Sequence, residues 1–361
     1  MDLFKPDDNV MKHCLRELQQ RSPIILFGAS LCGKEYLEVL NKNGISIECF
    51  CDDNTDKQQS GFLGYKVISV DQLADTINDR NGGGVIVISS YGPLKLYNRL
   101  KKFDASLLSK TKMVDFYLWE DGLDYYRYFT DHLTEIEKAY ALLADDKSRL
   151  TFKNLLQYKI SRRPDLIEQI KDDAALQYFD PAVVELDDHE VLLDLGAYIG
   201  DTTESFIKRT SGKYDKIIAL EPDKGNFERL MQNTRGMKNV ECFQCGASSH
   251  DGTVSFRSDS LYTSQIDEAG EDSIEVLSVD SLLNGQRVTL IKADIEGAET
   301  DMLIGARETI MRYKPKLAIS AYHRKEDIFK LINLITGYRS DYRFFMRHYT
   351  EMPIDTVLYA T

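Results

Sequence analysis

The sequence predicts an α/β protein built from two doubly wound, Rossmann-like domains joined by a helical connector. Three observations carry that expectation. Short apolar runs alternate with helical stretches from Pro23 to about Phe116, the strand signal vanishes between about Leu118 and Phe179, and the alternation resumes at Val191. Strands alternating with helices imply a parallel sheet covered on both faces. A chain of 361 residues exceeds one typical core, so about two domains are expected. The boundaries follow the pattern: a first domain over residues 1–117, the connector over 118–184, and a second domain over 185–361.

In the first domain, IILFG (Ile24 to Gly28) reads as a buried strand and KEYLEVLNKNG as a helix closed by Gly44. ISIECFCDD is the next strand, ending in Asp52 and Asp53, and GVIVISS follows the three-glycine turn at Gly82 to Gly84. The turn after the first strand carries Gly28 and Gly33, but Ser30 stands where a dinucleotide fingerprint has its middle glycine. Asp52, 24 residues after Gly28, is the candidate ribose acceptor. Gly28, Gly33 and Asp52 are therefore candidate nucleotide contacts. A domain that retains the fold for interaction alone would carry the same residues.

The connector segment LTEIEKAYALLADDKSRLTFKNLLQYKI places Ile136, Tyr140, Leu143 and Leu150 at helical spacing. In the second domain the strands are VLLDLG, KIIALE, VECFQC, TLIKAD and LAISAY, with TVSFR and IEVLSV interrupting the series. DYRFFMRHY and TVLYAT are joined by a short turn containing Pro353, which favours antiparallel pairing. A parallel sheet finished by an antiparallel strand pair is the architecture expected of a class I methyltransferase.

Composition narrows the function. Apolar residues make up 43% and charged residues 29%, as in ordinary globular proteins. Lys and Arg total 45 against 58 Asp and Glu, so the net charge of −13 repels phosphate backbones and anionic lipid. General nucleic-acid binding and membrane-surface binding are thereby disfavoured. The N-terminal MDLFKPDDNV is not a secretory signal, and no apolar run approaches the ~18 residues that span a bilayer. The six cysteines sit mostly in or beside apolar runs, which suits reduced thiols in a cytoplasmic protein. Cys242-x-x-Cys245 reads as redox-active or as half of a zinc site, but the second pair on offer, Cys49-x-Cys51, falls in the other domain, so zinc is not expected.

The decisive segment is VLLDLGAYIGDTTESF, residues 191–206, where a strand runs into Asp194-x-Gly196-x-x-x-Gly200 and a helix capped by Asp201 or Thr202. The next strand ends in Glu221, 25 residues beyond Gly196, where an acidic side chain can accept both ribose hydroxyls of an adenosine. The wide glycine spacing and Asp194 suit a cationic amino-acid tail better than a pyrophosphate. Ala197, Thr202 and Pro222 belong to the same turns, and Gly246 and Ala247, after the third strand, should border the adenine.

From Gln177 onward the sequence resembles the FkbM-type methyltransferases. The most specific piece is TLIKADIEGAETDMLIGARETI, in which Lys292, Asp294, Glu296, Gly297 and Glu299 match the family's Lys-x-Asp-x-Glu-Gly-x-Glu. LAISAYH and TVLYA also match, while Ile199 stands where related members often carry an acidic residue. The resemblance implies S-adenosylmethionine as cofactor and methylation of a hydroxyl, commonly on a sugar or polyketide scaffold. The expected reading is an O-methyltransferase acting on a carbohydrate or glycosylated acceptor, a small molecule or a glycan. The first segment looks like the small Rossmann-like domain found on sugar-modifying enzymes.

Methyl transfer to an alcohol needs positioning, electrostatics and a proton acceptor. His323 and Asp294, at the ends of adjacent strands, are the candidate catalytic pair: the histidine, titrating near neutral pH, takes the proton while Asp294 orients the acceptor. Tyr322 is expected to point away, into packing. Glu296 and Glu299, three apart, share a face if a helix has begun, and with Asp294 they suit Mg2+ or the substrate. Carboxylates in a first helical turn also simply offset its dipole. Two alternatives remain: an NAD-dependent nucleotide-sugar enzyme working from the first domain, and a non-catalytic sensor or scaffold. A homo-oligomer is compatible with either.

Overall fold

The computed structural model describes residues 3–4, 15–78, 84–90, 93–112, 122–161, 163–259, 263–266 and 272–361. Cys14, Gly82 and Gly83 lie outside them. The chain forms two compact units: the first takes residues 1–132, 153–171 and 351–353, and the second takes 133–152, 172–350 and 354–361.

In the first unit, strands β1 (Ile24–Phe27), β2 (Cys49–Cys51), β3 (Val67–Ile68), β4 (Val85–Ile88) and β5 (Thr111–Lys112) form one parallel sheet in the order β3-β2-β1-β4-β5. Both faces are covered. Leu26, Phe50 and Val87 pack with Tyr36 and Leu40 of helix α1 (Leu31–Lys42) on one side. Ile25, Phe27 and Ile86 pack with Leu73, Ile77 and Leu100 on the other. Burial on both faces is why these strands read as unbroken apolar runs rather than alternating ones.

The segment without strand signal is helical: Gly122–Asp131, Leu133–Ala141, Asp146–Ser161 and Pro164–Glu168. Its residues divide between the two units, with 133–152 in the second and 153–171 in the first.

The second unit has a seven-stranded sheet, built from β6 (Val191–Leu195), β7 (Lys216–Leu220), β8 (Val240–Phe243), β13 (Leu290–Ala293), β14 (Lys316–Ser320), β15 (Phe344–His348) and β16 (Thr356–Ala360). Their order is β15-β16-β14-β13-β6-β7-β8. All pairings are parallel except those of β16, which runs antiparallel to β14 and β15. The expected α/β architecture with an antiparallel terminal pair is therefore present. A further feature was not foreseen. β9 (Gly246–Ser248), β10 (Gly252–Asp259), β11 (Thr263–Ile266) and β12 (Asp272–Ser278) make a separate sheet in the order β11-β10-β12-β9. Helices α2 (Asp201–Arg209), α3 (Lys224–Asn233), α4 (Glu299–Gly305) and α5 (Asp327–Tyr338) complete the frame needed below. Tyr178, Phe179, Val183 and Val184 pack with Leu192, Phe206 and Tyr359 in the core of this unit. No helix among the described residues is long and apolar enough to cross a membrane.

Candidate functional site

The glycine turn after β6 is shaped by its neighbours. The Gly196 and Ala197 amides both donate to the Leu220 carbonyl at the end of β7, at 3.0 and 2.8 Å. On the other side the Asp294 amide donates to the Leu195 carbonyl, at 3.0 Å. A methyl group on Gly196 would stand 1.9 Å from the Asp294 carbonyl oxygen, and its φ of +73° lies in the left-handed region. Gly200 has φ +91° and is the N-cap of α2. The helix therefore starts at Asp201, and neither Asp201 nor Thr202 caps it as expected. A glycine can turn the chain in this conformation without Cβ strain.

Asp194 was expected to meet a cationic tail, but its carboxylate is fully buried and already holds a cation. Lys292 Nζ lies 3.1 Å from Asp194 Oδ1, and Thr203 donates to Oδ2 at 3.1 Å. The same ammonium donates to the Gly196 carbonyl at 2.7 Å and lies 5.2 Å from the Tyr178 ring centroid. Lys292 belongs to the β13 sequence motif, yet its role became visible only when β13 paired with β6.

Glu221, at the end of β7, accepts from the Tyr198 and Asp223 amides, each at 2.9 Å. Burial raises its pKa from 4.5 to about 7, against those two hydrogen bonds. Ala197 is buried, Thr202 is buried in α2, and Pro222 is half-buried. Gly246 and Ala247 are not in a turn: they form β9 and pair in parallel with Val276 and Leu277 of β12. The turn expected beside the adenine is thus an edge of the second sheet.

A second group gathers at the carboxyl ends of β13 and β14. Tyr178 donates to Asp294 Oδ2 at 2.8 Å and Tyr322 to Oδ1 at 3.2 Å. Tyr322 was expected to face away, but β14 ends at Ser320, and two residues beyond it the alternation of faces no longer holds. Burial opposes ionisation of Asp294, yet the charges of Lys292 and His323 hold its carboxyl below the usual range.

The His323 ring lies among three carboxylates. Its Nδ1 is 2.9 Å from Glu299 Oε1, and its Nε2 is 3.5 Å from both Asp294 Oδ1 and Glu296 Oε2. Burial works against its charge, but Glu299, Asp294 and Glu296 outweigh it and push the pKa up to about 9. The expectation of titration near neutrality is corrected accordingly: at neutral pH the ring carries its proton. Burial raises Glu296 to about 6 and Asp327, in the first turn of α5, to about 7. Glu296 and Glu299 do not share a helical face. Glu296 (φ +54°) and Gly297 (φ +95°) form a left-handed turn, and α4 begins only at Glu299.

The structure thus brings Asp294, Glu296, Glu299 and His323 together, and sets Gly196, Ala197, Gly200 and Glu221 at the neighbouring strand ends. Tyr178, Tyr322, Thr203 and Lys292 were not singled out as site residues. No spacing rule links Tyr178 to Asp294, 116 positions away.

In the first unit the candidate nucleotide residues serve the fold itself. Asp52 accepts from the Ala29 amide at 2.8 Å and from the Asn54 amide at 2.9 Å. A methyl group on Gly28 would stand 2.4 Å from the Ser89 carbonyl oxygen, and one on Gly33 would stand 2.2 Å from that of Gly28. Ser30, in the middle-glycine position, caps α1. Each residue is accounted for without a ligand.

Comparison with known proteins agrees with this layout. Residues 194–347 match the family model of the methyltransferase FkbM domain, and residues 20–92 match the C2185-like, N-terminal model. A methyltransferase FkbM from Methylobacillus flagellatus KT shares the fold at TM-score 0.77 and 24% identity, over 99% of this chain and 95% of that one. An rRNA methylase from Streptococcus thermophilus matches at 14% identity and TM-score 0.33, over 48% of this chain and 87% of its own. Aeropyrum pernix fibrillarin, with natively bound S-adenosyl-L-methionine, matches at 13% and 0.35, over 52% and 76%. No curated protein matches the chain. Residues 194–347 are thus similar to a methyltransferase domain of the FkbM type, and S-adenosylmethionine is the methyl donor that this similarity implies.

Proposed function

We propose that this methyltransferase moves the methyl group of S-adenosylmethionine to a hydroxyl of a carbohydrate or glycosylated acceptor. One observation carries the reading. β6 lies between β7 and β13, so its glycine turn is flanked by Glu221 on one side and by the Asp294–His323 cluster on the other. Ligands of open α/β sheets bind outside the carboxyl ends of the strands, where the strand order reverses. Here the order reverses between β6 and β13.

Glu221 would accept the ribose hydroxyls, with Gly196 and Ala197 forming the floor beside it. Because Asp194 is neutralised by Lys292, its part is indirect: the pair holds the Gly196 carbonyl and so the shape of the turn. The acceptor hydroxyl would sit at Asp294, whose orientation Tyr178 and Tyr322 set. In the reaction the hydroxyl oxygen bonds to the methyl carbon as the carbon–sulfur bond breaks, and that electron pair leaves on sulfur as S-adenosylhomocysteine. The hydroxyl proton passes to a carboxylate of the cluster, Asp294 or Glu296, because His323 already carries its own. Positioning and electrostatics supply the acceleration.

Calorimetric titration of the full chain with S-adenosylhomocysteine, alongside NAD and with Glu221→Ala as control, tests the cofactor. Saturable binding of the first ligand, lost in the variant, is expected. Binding of NAD alone would overturn the reading. Transfer of labelled methyl from S-adenosylmethionine to a panel of neutral glycans and glycosides tests the acceptor class, and transfer only to amines or nucleic acid would refute it.

A further inference from the structure

The cluster around His323 holds more than an alcohol would need. Asp294, Glu299 and His323 each bring one ligand-type atom within 4.8 Å of the others. The His323 side chain is 9% exposed; its Nδ1 is ion-paired with Glu299 Oε1 at 2.9 Å, whereas its Nε2 makes no hydrogen bond, with Asp294 and Glu296 oxygens 3.5 Å away. Glu299 is fully buried, and its Oε2 has no hydrogen-bond partner. The buried histidine, with Nε2 unbonded, distinguishes this group from a patch of carboxylates.

We propose that Asp294, Glu299 and His323 form a binding site for a divalent first-row transition-metal ion, with Glu296 at its rim. The spacing suits coordination. With bonds of about 2.1 Å, adjacent ligands of an octahedral ion stand about 3 Å apart. The donor set also selects the metal. Mg2+ prefers oxygen ligands throughout, whereas an imidazole nitrogen among carboxylates suits Mn2+, Fe2+, Co2+ or Zn2+. The ion expected from the sequence, Mg2+ on oxygen ligands alone, therefore gives way to one with a nitrogen ligand.

The surroundings supply what an ion site needs outside its ligands. Tyr178 and Tyr322 each donate to one oxygen of Asp294, which fixes the carboxylate and leaves a lone pair on each oxygen. The Ile295 amide donates to Glu299 Oε1 at 3.1 Å and anchors that side chain too. Asp294 directly follows β13, His323 lies in the bend three residues beyond β14, and Glu299 is the first residue of α4. An ion here would polarise a hydroxyl bound at Asp294. That use rests on the methyltransferase reading, whereas ion binding itself does not.

The test uses the full chain freed of metal by a chelator and dialysed. It is titrated with Mn2+ by calorimetry and electron paramagnetic resonance, and in parallel with S-adenosylhomocysteine. We expect one Mn2+ per chain, with an electron-spin-echo coupling to an imidazole nitrogen. In His323→Ala the nitrogen coupling should vanish and the affinity fall by about tenfold or more. Glu299→Gln, near in shape to the native residue, should weaken binding similarly and serves if the alanine variant does not fold. Retained S-adenosylhomocysteine binding certifies that either variant is folded. No saturable Mn2+, or binding indifferent to both substitutions, would overturn the ion site. Mn2+ binding without S-adenosylhomocysteine binding would support the ion site while sinking the cofactor assignment.

Discussion

Glu221 shows how one side chain can be read twice. Its position at the end of β7 is legible in the sequence, but its charge behaviour is not, because burial and the two amide partners come from the fold. Its folded pKa of about 7 lies above the ordinary 4.5, so the folded protein favours the protonated form. The stability this group contributes is complete below about 4.5 and is lost as pH rises to about 7. Cofactor binding runs the other way, since only the carboxylate can accept both ribose hydroxyls. The affinity for S-adenosylhomocysteine should rise by up to about tenfold per pH unit below about 7 and level off above it. Glu221→Gln should flatten that profile in a calorimetric pH series. An unchanged slope in the variant would move the titrating group elsewhere. Tyr322 shows where residue-level reading stops: strand alternation predicted the wrong face because the strand ended two residues earlier.

At the scale of elements, the seam between β6 and β13 decides the site. Lys292 and Asp194 face each other across it, both fully buried. Removing one partner of such a pair leaves a charge stranded without water, at a cost of ~3–5 kcal/mol. Lys292→Met should therefore unfold at markedly lower denaturant, and Asp194→Asn with Lys292→Met should recover much of the loss. Additive losses in the double variant would show that the two groups are not coupled. Gly196 lies on the same seam, and Gly212 provides its control. Their φ values are nearly equal, at +73° and +74°, but a methyl on Gly212 meets nothing within 4 Å. Gly212→Ala should cost only the backbone strain of ~1 kcal/mol, while Gly196→Ala should cost clearly more and abolish cofactor binding. Equal melting shifts would remove the contact with Asp294 from the account. The sequence motif marks Gly196 as special, but it assigns the close approach to a ligand, whereas the structure assigns it to the neighbouring strand.

For the whole molecule, each of the two units carries a parallel strand series, and among the described residues the cluster of Asp294, Glu299 and His323 stands beyond strand ends of the second. Hydrogen exchange on the full chain should show S-adenosylhomocysteine protecting amides around Gly196, Gly200 and Glu221, with none protected between Ile24 and Ser60. Protection confined to the first unit would reverse the assignment. The sequence by itself determined the α/β class, the strands β1, β2 and β4 of the first sheet, those of the seven-stranded sheet, the antiparallel terminal pair and the residues at the strand ends. These follow from hydrophobic periodicity and turn chemistry, which are local properties of the chain. The tertiary structure alone decided that TVSFR and IEVLSV join Gly246–Ser248 in a separate sheet, and that Lys292 neutralises Asp194. It also decided that Tyr178 and Tyr322 clasp Asp294, and that His323 is held protonated among carboxylates. Each of these depends on which distant segments pair and on how much water the pairing excludes, and neither is encoded in any local spacing.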